Sequence, residues 1–347
     1  MKKTFLILAT VTALATACSK ETVSVIDNDT NRKVSLIVDI TGSHKTKATG
    51  IAGDETDEEK ISNFQVFVFN GNNLDGYAKA TGSTSLKISC TAGSREIYAV
   101  VNAYEDLSTI AKKSDLLKKI STLNNRKDCF EMIGNSIEEI NEDNQQVTVN
   151  VNRFAARVKV KKVTNALSSA ALQKQSFSIK SMHLINVAGD VNYGLSDSYN
   201  VSKWYNMMCL ESRNNLGTVS YDIPDAAVES GKSYTTAHYF YAYPNSKEYS
   251  SSTTWSPRAT MLVLKVYIGG VLYDYPITLP ALESNKSYEI DEIKITRPGN
   301  PDDGIEGGTD EMTPVEGHDC TFEIEVNPWT VVTVSGNPEK PDEPITI

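Results

Sequence analysis

What most constrains this chain is a succession of short, alternating or β-branched apolar runs, each closed by a turn signal. Val34-Ser35-Leu36-Ile37-Val38-Asp39-Ile40 is the first such run. Phe64 to Phe69 follows, then Asn70-Gly71-Asn72-Asn73, then Leu74 to Lys79. Period-two alternation interrupted by Asn-Gly predicts a hairpin, because these residues reach the positive φ that a two-residue turn requires. Leu86 to Cys90, Glu96 to Val101 and Val147 to Val151 continue the pattern. Ala156 to Val160, Phe177 to Val187, His238 to Tyr243, Met261 to Tyr267, Val271 to Tyr275 and Tyr288 to Ile295 carry it through the second half. Gly269-Gly270 predicts another hairpin turn. Only Ser114 to Ile120 places apolar residues at helical spacing, with Ser114 as the predicted N-cap. Such spacing predicts an all-β chain of two tandem antiparallel β-sandwich domains with one or two short helices. A length of 347 residues exceeds what one core usually fills, and the boundary is expected near Val151.

The N-terminus reads as an export signal. Lys2 and Lys3 precede an uncharged stretch from Phe5 to Ala17, too short to cross a bilayer, and the chain turns polar at Ser19-Lys20-Glu21. Ala15-Thr16-Ala17-Cys18 resembles the lipobox of bacterial lipoproteins, with Ala15 where a larger aliphatic residue is usual. Residues 1–17 are therefore expected to be a signal peptide and Cys18 an acylated anchor. A net charge of −10 argues against nucleic acid, which needs a basic face. The remaining cysteines, Cys90, Cys129, Cys209 and Cys320, form no CxxC pair. Three connectivities are open to them, and buried free thiols are favoured for Cys90 and Cys320.

Nothing in the chain has the pattern of a catalytic or metal site, so no enzyme activity and no cofactor is expected. His44, His183, His238 and His318 lack ligand spacing. The acidic group Asp302, Asp303, Glu306, Asp310 and Glu311 has the oxygens for calcium, but a solvated loop is the preferred reading. Tyr239, Tyr241 and Tyr243 share one strand face, as a core requires. Trp204, Tyr205 and Trp255 fall in loop-like segments and are the surface aromatics a sugar could stack on, a packed cluster being the alternative favoured.

The order of these features resembles the type V pilins of Bacteroidetes, the fimbrillins. The resemblance is carried by the lipobox at Cys18, the strand and loop ahead of Phe64 to Phe69, and Ala92-Gly93-Ser94-Arg95. It continues through Phe154-Ala155-Ala156-Arg157-Val158, Asn285-Lys286-Ser287-Tyr288, Ile293 to Gly299, Cys320 and Trp329. It implies transthyretin-like sandwiches and a structural role: export to the outer membrane as a lipoprotein, then a cut in the loop after the first strand. Loss of that strand would open a groove that a segment of another subunit fills. On this chain the removable strand is Val34, Leu36, Val38 and Ile40, and the cut falls at Lys47-Ala48, where the family more often has arginine. Donor residues are Val326, Trp329, Val331, Val332 and Val334, with Ile345 and Ile347 as an extension. The division that follows is a propeptide over 18–47, an N-terminal sandwich over 48–150 and a C-terminal sandwich with its donor segment over 151–347. Expected partners are copies of the chain or other fimbrial subunits, the outer membrane before processing, and host or bacterial surface receptors. An anchor or tip adhesin subunit, or a glycan-binding surface lipoprotein, is the alternative.

Overall fold

The structure is a computed structural model that describes residues 32–41, 58, 60–124, 129–207, 219–247, 259–304, 311, 313 and 320–328. The strands of the first half are β1 (Lys33–Thr41), β2 (Asn63–Asn70), β3 (Asn73–Thr81), β4 (Ser85–Thr91) and β5 (Gly93–Val101). A short helix α1 (Lys113–Leu117) precedes β6 (Ile120–Thr122), β7 (Met132–Ile140), β8 (Gln146–Asn150) and β9 (Asn152–Arg153). Two sheets result, one in the order β4-β1-β8 and one in the order β3-β2-β5-β7-β9. The turn from β2 to β3 lies where Asn-Gly predicts it, with Gly71 at φ 60°.

The second half opens with β10 (Ala156–Val160), β11 (Val163–Asn165), β12 (Phe177–Ile185), β13 (Val187–Ala188), β14 (Asp190–Asn192) and β15 (Trp204–Tyr205). It proceeds through β16 (Ser220–Ala227), β17 (Ser233–Tyr234), β18 (His238–Ala242), β19 (Met261–Ile268) and β20 (Val271–Thr278). The last strands are β21 (Lys286–Ile290), β22 (Ile293–Ile295), β23 (Asn300–Pro301), β24 (Cys320–Thr321) and β25 (Ile324–Pro328). One layer has the order β18-β10-β21-β25, its lanes prolonged as β17-β11-β22-β24, and the other has the order β16-β12-β19-β20-β23. Antiparallel pairing dominates, but β1 with β8, β10 with β21 and β11 with β22 run parallel. Each parallel pair joins strands far apart in sequence, as parallel neighbours must.

The all-β expectation holds, and α1 is a short helix of five residues. Its start differs from the sequence reading. Ser114 lies inside the helix, and the cap comes from the β2–β3 turn, where Asn72 Oδ1 accepts the Ser114 N–H at 2.9 Å. Ile120 belongs to β6, which pairs antiparallel with β14 and so ties the first half to the second. Tyr239, Tyr241 and Tyr243 are buried in the core, as alternation predicts, and the structure adds what lies on each face of β18. Phe240, opposite Val158, faces the sandwich core, whereas Tyr239 and Tyr241 take the other face with Lys159 and Arg157. Tyr241 is buried there under Phe130 of the first half, 4.8 Å away between ring centroids, and Tyr239 is buried beside the Arg157 guanidinium, 5.8 Å from its ring centroid.

Candidate functional site

The first strand occupies an unusual position. β1 does not lie at an edge but between β4 and β8, antiparallel to one and parallel to the other. Lys33 to Asp39 pair with Thr91 to Ser85, and Ile37 to Thr41 pair with Gln146 to Asn150. Alternation sets which face is buried: Val34 is 6% exposed, and Leu36, Val38 and Ile40 are each 0% exposed. These four belong to the same continuous core as Val66, Phe67, Ile88, Val147 and Val149. On the opposite face Asp39 accepts a hydrogen bond from Gln146 Nε2 at 2.7 Å.

The walls of this lane are fixed independently of β1. At the β4 side, Asp75 of β3 accepts from the Thr91 N–H at 2.8 Å and from Arg95 Nε at 2.9 Å. Burial alone would raise the Asp75 pKa, but the bonds from Thr91 and Arg95 outweigh it and hold the carboxyl below its usual value. At the β8 side, β7 crosses so closely that a Cβ on Gly134 would come within 1.8 Å of the Asn150 carbonyl oxygen. The lane is thus a slot between two braced strands, filled by a segment joined to the rest of the fold on one side by residues 42–62.

Residues 33–168, which include β1 and both sheets around it, match the family model described as major fimbrial subunit protein (FimA). The fold is that of solved structures at low sequence identity. A cell-adhesion-protein candidate from Bacteroides eggerthii is 20% identical with a TM-score of 0.64, covering 87% of this chain and 98% of that one. A fimbrilin (fimA) from Porphyromonas gingivalis is 16% identical with a TM-score of 0.56, over 88% and 99%. The tip fimbrial protein Mfa3 from the same organism, with C-terminal truncation, is 12% identical with a TM-score of 0.52, over 86% and 100%. The family match covers the first half, and over the whole chain the likeness is one of fold. No curated protein sequence matches it.

The other predicted site residues fall as follows. Cys18, Lys47 and Ala48 lie outside the described residues, as do Trp329, Val331, Val332, Val334, Ile345 and Ile347. Val326 is in β25, opposite Tyr288 of β21, so its main chain pairs within its own second half. Cys90, Cys129 and Cys320 are buried, Cys90 and Cys129 as free thiols, and Cys209 lies outside the described residues. Trp204 pairs through β15 with β13 and packs against the core, and Tyr205 is buried, which is the packed-cluster alternative; Trp255 lies outside the described residues.

The acidic group needs correction. Asp302 and Glu311 are not solvated: Lys265 Nζ, buried on β19, lies 2.9 Å from Asp302 Oδ2, 2.9 Å from Glu311 Oε1 and 2.9 Å from Asp274 Oδ2. Burial would lower the Lys265 pKa, but its three carboxylate partners reverse the sign and keep it charged. The lysine ammonium thus takes the place the sequence reading considered for a metal. Among the described residues no group of His, Cys, Asp or Glu is arranged to hold one. Glu306 and Asp310 lie outside the described residues.

Glu58 and Glu131 are buried carboxylates that the sequence pattern does not single out. Glu58 contacts Arg157 and Tyr241 of the second half. Glu131 accepts from Ser121 and Tyr193, and Ser121 Oγ is 2.5 Å from the Tyr243 hydroxyl. Neither has a local signal, because their partners come from strands about 60 to 180 residues away except for Ser121.

Proposed function

We propose that this chain is a structural subunit of a cell-surface fimbrium, exported as a lipoprotein acylated at Cys18 and polymerised by β-strand donation after removal of β1. One observation carries the reading: a segment preceding the loop expected to be cut fills a central lane whose two walls are braced without it. Vacating the lane would uncover the core beneath Val34, Leu36, Val38 and Ile40 and leave backbone donors and acceptors of β4 and β8 unpaired, a strong template for an incoming strand. Four side chains at roughly 1.5–3 kcal/mol each would return on the order of 10 kcal/mol before the entropy of association. The incoming segment would run parallel to β8 and present alternate apolar residues inward. Since β25 already has its place beside β21, the donor begins after Pro328, with Trp329, Val331, Val332 and Val334 as its candidates.

The fimbrial family match over β1 and its sheets supports a fimbrial subunit and assembly with other such subunits at the cell surface. The test is electron microscopy of cells producing the full chain or a chain ending at Pro328, with N-terminal sequencing of the surface material. Filaments from the full chain, beginning near Ala48, and none from the shortened chain are expected. Filaments that persist without residues 329–347, or that begin at acylated Cys18, would overturn the donation scheme.

A further inference from the structure

We infer that Glu58 is a clamp that sets the limit of proteolytic trimming between β1 and β2 and keeps the chain from Glu58 onward strapped to both halves after β1 has left. The inference rests on the proposed removal of β1 for its biological meaning, though the clamp itself is a feature of the folded chain.

Glu58 is 3% exposed although it belongs to the long connection between the two strands. Its Oε2 is 2.9 Å from Arg157 Nη1, and its Oε1 accepts from the Tyr241 hydroxyl at 2.5 Å. Its main-chain oxygen accepts from Arg153 Nε at 3.0 Å. These partners are themselves held: Arg157 Nε donates to Ser287 Oγ at 3.0 Å, and Arg153 Nη1 donates to Asn285 Oδ1 at 3.3 Å. Arg157, Tyr241 and Ser287 all belong to the sheet of the second half, in the lanes β18-β10-β21. A buried carboxylate matched to a guanidinium and a phenol is costly to pull out, because its partners would remain buried without it.

The next residues are tied to the first half instead. The Lys60 carbonyl accepts from Asn102 Nδ2 at 2.7 Å, and the Ser62 N–H donates to Asn102 Oδ1 at 2.8 Å. Asn102 Nδ2 also donates to the Phe130 carbonyl at 2.9 Å. Between Glu58 and Ser62 the chain therefore bridges the two halves, while β1 pairs with β4 and β8 alone. The two ends of the connection are anchored by separate sets of contacts, so one end can be lost without loosening the other. Lys60 is exposed, so cutting after it is a useful probe of how firmly the backbone on either side is held.

Proteolysis of a folded chain passes through local opening, so the rate of cutting after Lys60 reads the strength of the clamp. The experiment is native trypsin digestion of the full chain, with the N-terminus and mass of the large fragment followed over time, for wild type, Glu58→Gln and Tyr241→Phe. Wild type is expected to resist cutting at Lys60-Ile61 while cutting proceeds at lysines further upstream. Glu58→Gln should be cut there at least about tenfold faster, and Tyr241→Phe, which keeps the ring against Phe130, by an intermediate factor. Should Glu58→Gln fail to fold, Tyr241→Phe carries the comparison, both variants being matched to wild type by near-UV circular dichroism. Equal rates at Lys60-Ile61 in wild type and the folded variants would overturn the clamp. Gel filtration of the digest separates this from the strand-removal scheme: a protected Lys60 with the β1 fragment still bound leaves the clamp standing and counts against removal.

Discussion

Val34 of β1 and Cys90 of β4 stand directly opposite one another, and both side chains are buried in the same core. Burial, with a smaller contribution from Asp75, pushes the Cys90 thiol up to about 11. The thiolate is the reactive form, so Cys90 should resist alkylation in the intact precursor. On the proposed scheme, loss of β1 would take away the thiol's covering neighbour, and a donor strand would cover it again. Iodoacetamide labelling of the Cys90 peptide, read by mass spectrometry, should be low in precursor, high in processed unassembled protein and low in filaments. Equal labelling in all three states would contradict the open lane.

Leu36→Ala removes a side chain that is wholly buried in the intact chain, and a loss of about 2–5 kcal/mol is expected from the missing contacts and the residual cavity. Urea unfolding of the unprocessed chain measures it. Filaments from which β1 is absent should show no corresponding loss in their resistance to dissociation.

Lys265→Met should be among the most damaging single changes in the second half. It would leave Asp274, Asp302 and Glu311 close together without their shared cation, at a cost of about 3–5 kcal/mol. A fall in melting temperature is expected, smaller in the Lys265→Met, Asp302→Asn double variant, since one of the stranded charges is then gone.

Glu131 makes the junction between the halves sensitive to pH. Burial raises its carboxyl from 4.5 to about 7, hydrogen bonds from Ser121 and Tyr193 offset part of that rise, and Glu105 adds to it. The other group within this cluster is the Tyr243 hydroxyl, bonded through Ser121. Because the folded-state value lies above the ordinary one, the protonated form is favoured by folding. Its contribution is complete below about pH 4.5 and is lost as pH rises through about 7, a change on the order of 3 kcal/mol. Chemical unfolding from pH 5 to pH 8 should show this decline in wild type. Glu131→Gln, neutral throughout, should lack that component.

Gly134→Ala tests the brace on the β8 side of the lane. An added methyl would meet the Asn150 carbonyl oxygen at 1.8 Å, a backbone atom that cannot swing aside. A loss of roughly 2 kcal/mol or more is expected by thermal unfolding, whether or not β1 is present.

Much of this architecture is legible in the chain itself. The Asn70-Gly71 and Gly269-Gly270 turns fall between paired strands, β2 with β3 and β19 with β20, because turn chemistry is local. The start of α1 departs from the local pattern for the opposite reason: its cap is a side chain from a distant turn, Asn72, which no pattern around Ser114 encodes. Alternation puts Tyr239 and Tyr241 on one face but does not say what covers that face. Phe130 and Glu58 of the first half do so.

By itself the sequence determined that Val34, Leu36, Val38 and Ile40 would point the same way and be buried, since alternation along a strand separates its two faces. Only the tertiary structure decided that this strand lies between β4 and β8, because main-chain hydrogen bonds are alike for every strand and carry no record of which neighbour they join. The same holds for charge. Lys265 and Glu58 look like solvated residues in one dimension, and they are buried because strands remote in sequence bring each its counter-charge.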